Sequence, residues 1–123
     1  MIIEQPRQPT LPAPGPREGH WHLEQDDAGV TALDASRAVA HVEIREEGSQ
    51  VQLQFWLDEY LPRQLRTELT RSVFSHRALR PERRLVAAVP HRELYVLDEL
   101  RAHLADPRTR AAGATLLLEG RVR

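Results

Sequence analysis

A chain of 123 residues, 41% of them hydrophobic and 28% charged, is the size of one domain and leaves no room for a second core. It contains no cysteine, which excludes disulfides, thiolate catalysis and Cys-ligated zinc or iron–sulfur sites. No apolar run approaches the roughly 18–20 residues of a membrane span, and Met1-Ile2-Ile3-Glu4 lacks the basic and apolar regions of a secretory signal. The expectation is a cytoplasmic globular protein with no membrane partner.

The formal net charge of -1 argues against a nucleic-acid binder held by bulk electrostatics. All 17 basic residues are arginine, so neither a Schiff-base lysine nor a P-loop lysine is available. The charge is segregated. Between Arg63 and Arg92 eight arginines face two acids, Glu68 and Glu82, so this segment carries +6 and the remainder -7.

Residues 1–19 hold five of the nine prolines and read as a disordered tail, with residues 20–123 forming one domain. His20 to Gln25 alternates polar and apolar residues, the mark of a half-buried strand. Asp26-Asp27-Ala28-Gly29 supplies a turn, and Val30 to Ser36 is ambiguous between strand and loop. Ala38–Glu46 and Gln50–Asp58 alternate strongly and form a hairpin about Glu47-Gly48-Ser49. In the second arm Val51, Leu53, Phe55 and Leu57 face inward, and Gln52, Gln54 and Trp56 face outward.

The period then changes. Leu61, Leu65, Leu69 and Val73 recur every four residues, predicting a helix over 61–75 with Pro62 in its first turn and Asp58 and Glu59 at its N-terminus. Arg84–Val89 is a short apolar run expected of an interior strand. Leu94, Leu97, Leu100 and Leu104 predict a second helix over 92–105, ended by Asp106-Pro107. Ala114–Val122 is the last strand. The order β-β-β-α-β-α-β gives an α/β (α+β) two-layer sandwich. It has a mixed five-stranded sheet, both helices on one face and two crossovers to parallel strands.

This order resembles the C-terminal part of the GNAT acyltransferase fold over roughly residues 38–122. The resemblance implies that acyl-CoA would place its pyrophosphate on a glycine-rich turn after the meander. The turn here, Leu57-Asp58-Glu59-Tyr60-Leu61-Pro62-Arg63-Gln64-Leu65, has no glycine, carries two carboxylates and loses an amide donor at Pro62. The N-terminal helices of that fold are also missing, and no cofactor is expected.

Several side chains are candidates for a site. Trp56, with Gln52, Gln54, His41 and Arg45, lies on the outward face, where an exposed aromatic marks an interface. Arg77, Arg80, Arg83 and Arg84 form an anion-binding candidate set with Glu82 among them. His20, His22 and His41 are weak metal-ligand candidates, with Glu43 as a further donor. His91 with Asp98 and His103 with Glu99 make no persuasive acid–base pair, and no serine has nucleophile-elbow glycines around it. The function expected is a non-catalytic interaction domain that binds a protein partner or its own copy. The alternative is a small enzyme or anionic-ligand-binding module on a degenerate acyltransferase-like scaffold, and nucleic-acid binding comes third.

Overall fold

A computed structural model describes residues 21–123. The 1–19 tail and His20 lie outside the described residues. The elements run β1 (Trp21–Asp26), β2 (Gly29–Asp34), β3 (Arg37–Glu47), β4 (Gln50–Leu57), α1 (Arg63–Phe74), β5 (Arg84–Pro90), α2 (Leu94–Ala102), β6 (Leu104–Ala112) and β7 (Thr115–Val122). They build one mixed sheet in the order β1-β2-β3-β4-β5-β7-β6, with both helices on one face. The two-layer α+β architecture is as expected, although the sheet has seven strands rather than five.

The ambiguous segment after the first turn is β2. Asp26 explains the turn, because its Oδ1 accepts from the amides of Ala28 and Gly29 at 2.9 and 3.0 Å. Gly29 then crosses so close to β3 that an added Cβ would lie 1.9 Å from the Val42 carbonyl oxygen.

The other added strand is β6. Leu104 continues the helical spacing of Leu97 and Leu100, yet α2 stops at Ala102 and Leu104 already pairs with Val122. Pro107 sits at the irregularity between Ala105 and Arg108, on an outermost strand where a missing amide costs least. The second crossover therefore lands on β6, and β7 folds back between β6 and β5, antiparallel to both. Only the β4–α1–β5 crossover returns to an adjacent parallel strand.

The core follows the alternation of the strands. Val42, Val51, Phe55, Leu85, Val89 and Leu118 are buried beneath Leu65, Leu69 and Val73 of α1 and Val96 and Leu100 of α2. Val51 is 0% exposed and Trp56 is 62% exposed, so the hairpin register is the expected one. Leu94, which the leucine spacing assigns to the buried stripe, is exposed instead. No described helix is long and apolar enough to cross a membrane.

Candidate functional site

The parallel pairing of β4 with β5 ends at Gln54↔Ala88. Beyond it β4 stays with β3 as far as Ala40↔Leu57, and β5 stays with β7 as far as Pro90↔Thr115. The two strands therefore fork at their carboxyl ends, the position where open α/β sheets take ligands. Trp56, Tyr60, Leu94 and Tyr95, the large hydrophobic residues most exposed among those described, all belong to the ends of β4 and β5 or the segments that follow them.

The helix side of the fork is held shut by the chain itself. Arg66 of α1 grips Glu93, the residue before α2, with Nε to Oε1 at 2.6 Å and Nη2 to Oε2 at 3.1 Å. The Glu93 side chain is buried, at 3% exposure, and that of Arg66 is mostly so, at 12%. The same guanidinium donates to the carbonyls of Leu61 and Glu59, pinning the turn before α1. Arg63 stacks on Tyr95 at 4.2 Å, a second link from α1 to α2. Asp58 does not face the α1 N-terminus as expected, because it pairs with Arg37 at 2.8 Å and no acid lies in the first turn. A cation tied to backbone carbonyls, rather than free amides, thus borders this turn.

The other side is open. Register places Glu43, Gln54, Ala88 and Leu117 in one row across the helix-free face, with Arg45, Gln52, Val86 and Glu119 in the next. At the crotch of the fork these rows form a groove of about 240 Å³. Its floor is Val86, Ala88 and Leu117, and its polar lining is Glu43, Arg45, Gln52 and Gln54. Trp56 stands one row beyond, opposite His41. Small side chains on β5 make the depression, since larger residues there would fill it.

Of the expected interface residues, Arg45, Gln52 and Gln54 line this groove and Trp56 and His41 flank it. His41 Nδ1 lies 2.9 Å from Thr31 Oγ1. The four arginines are divided. Arg77 and Arg83 both reach Glu46, at 3.8 and 2.7 Å, while Arg84 lies 3.5 Å from Glu119. Arg80 is exposed beside Gly48 and Ser49. Three of the set therefore have carboxylates beside them and do not converge on one point. His22 pairs with Glu24 at 3.3 Å. Among the described residues no three His, Asp or Glu groups gather to hold a metal.

The remaining histidines support structure. His91 Nδ1 contacts the Ala114 carbonyl, and His103 lies on Phe74 with its Nε2 3.3 Å from Glu99. Elsewhere Arg121 is flanked by Asp106 and Glu82, whose hydrogen bonds raise its pKa above the ordinary arginine value. Arg66, Glu93, Tyr60 and Tyr95 carry no pattern that singles them out in sequence. Their roles follow from the fork.

The chain has a GNAT-like fold. An acetyltransferase of the GNAT family from Streptococcus pneumoniae superposes with a TM-score of 0.55 at 14% identity, over 80% of this chain and 69% of that one. A protein assigned as an acetyltransferase from Sphaerobacter thermophilus gives 0.50 at 18% identity, over 85% and 71%. No protein-family model matches the sequence, and no curated protein does. These identities show the fold alone. They nevertheless overturn the expectation of a non-catalytic interaction domain, because the neighbours in structure are acetyltransferases, and they favour the acyltransferase-like alternative.

Proposed function

We propose that this chain is a small-molecule module on an acyltransferase-like scaffold, taking an anionic ligand at the β4–β5 fork. The observation that carries the reading is the groove at the crotch of the fork, with an arginine on its wall and two amides beside a small apolar floor. The acetyltransferase neighbours support a small-molecule module on this fold, and the parting of two parallel strands at their carboxyl ends supports its place. The glycine-free turn and the Arg66–Glu93 closure argue for access from the helix-free face. The ligand's anion meets Arg45, and its body lies over Val86 and Ala88 with Trp56 at the edge.

Calorimetry with acetyl-CoA and a panel of small carboxylates and phosphates tests this. The reading expects saturable binding of at least one anion, weakened by salt and lost in Arg45→Ala. No binding by any member overturns it, and so does acetyl-CoA binding that survives Arg45→Ala. The cytoplasmic location expected from the sequence belongs to the same proposal, and fractionation of cells expressing the chain checks it.

A further inference from the structure

Glu43 and Arg45 are two residues apart on β3 and therefore point to the same face, with backbone positions about 6.6–6.8 Å apart. Opposite charges so placed ordinarily neutralise each other. Here they do not. Arg45 leans the other way, its Nη2 3.6 Å from Glu47 Oε2 and more than half exposed. Glu43 is half-buried, faces the amide-bearing Gln54 across the strand pair, and has no ion-pair partner among the described residues. Both line the same groove, whose floor of Val86 and Ala88 presents no competing charge.

A carboxylate and a guanidinium held apart over an apolar floor match a ligand that carries both a cation and an anion on a short apolar spacer. Burying one end of such a ligand would leave its other charge unpaired unless the groove offered both groups. We propose that the groove binds a small zwitterion, an amino carboxylate whose ammonium meets Glu43 and whose carboxylate meets Arg45. This rests on the fork reading above and narrows its ligand class.

The test uses the full chain in calorimetry with ω-amino acids from glycine to 6-aminohexanoate, each beside the matching acid that lacks the amine. The proposal expects one amino acid of intermediate length to bind about tenfold more tightly than its matched acid, the value of one charge-assisted contact. Glu43→Gln should remove that advantage without weakening the matched acid, which carries no ammonium for Glu43 to meet and is relieved of a like charge. Arg45→Ala should weaken both. Equal affinity of acids and amino acids overturns the zwitterion proposal and leaves the fork reading standing. An advantage that survives Glu43→Gln also overturns it. Binding by none of these ligands, nor by any anion of the earlier panel, overturns both.

Discussion

Arg66 and Glu93 form a bidentate pair across the β4–β5 fork, joining the helix that follows one arm to the segment that follows the other. Removing one partner leaves the other charge buried. Arg66→Met should cost about 3–5 kcal/mol in chemical denaturation, since Glu93 and two turn carbonyls lose their donor together. Adding Glu93→Leu should recover part of that loss, because two apolar residues tolerate the site better than a buried carboxylate left with only the exposed Arg92, 3.8 Å away.

Gly29 makes a sharper prediction. Its φ is 153°, and a methyl group added there would lie 1.9 Å from the Val42 carbonyl oxygen, so Gly29→Ala must push β2 off β3. A loss of about 3 kcal/mol or more is expected. Gly48→Ala and Gly113→Ala, at φ of 62° and 66° with nothing near the new carbon, should each cost only about 1–2 kcal/mol. Thermal or denaturant midpoints of the three variants compare these directly.

How much of this could be read in advance depends on the reach of each interaction. The hairpin of β3 and β4 was legible because Val51, Leu53, Phe55 and Leu57 alternate without interruption, and a slip of one residue would expose all four. Trp56 on the outer face followed from the same register. The strand β6 was not legible, because Leu104 extends a leucine spacing that belongs to α2 and Asp106-Pro107 looks like an end rather than an irregularity in an edge strand. The fates of Arg77, Arg83 and Arg66 were hidden for another reason. Their partners Asp27, Glu46 and Glu93 lie 27 to 50 residues away in the chain, and only the folded sheet brings them together. Of the candidate site, the outward residues of β3 and β4 were visible in sequence. The floor supplied by β5 and β7 depends on strand order, which periodicity does not specify.

His76 is buried, and its ring ties the segment after α1 to the end of β1. Its Nδ1 accepts from the Ala78 amide at 3.1 Å, which leaves Nε2 to donate to the Asp26 carbonyl at 2.8 Å. His76→Ala should cost about 2–4 kcal/mol by orphaning both groups, and His76→Gln should cost less because its amide retains a donor. Hydrogen exchange at Ala78 is the local readout, and the alanine variant should lose protection there first.

Trp56 separates stability from binding. Its exposed ring contributes little to the core, so Trp56→Ala should change the unfolding free energy by less than about 0.5 kcal/mol. Ligand affinity should fall several-fold, because the ring borders the groove. A large loss of stability in this variant would mean that the ring supports the fold.

The most direct measurement is the pattern of backbone amide shifts in an NMR titration with the tightest-binding anion. The account predicts that Glu43, Arg45, Gln52, Gln54 and Ala88 move together while Leu61 and Arg63 to Leu65 stay still. Shifts confined to the turn before α1, with the β3 and β4 amides unmoved, would contradict it.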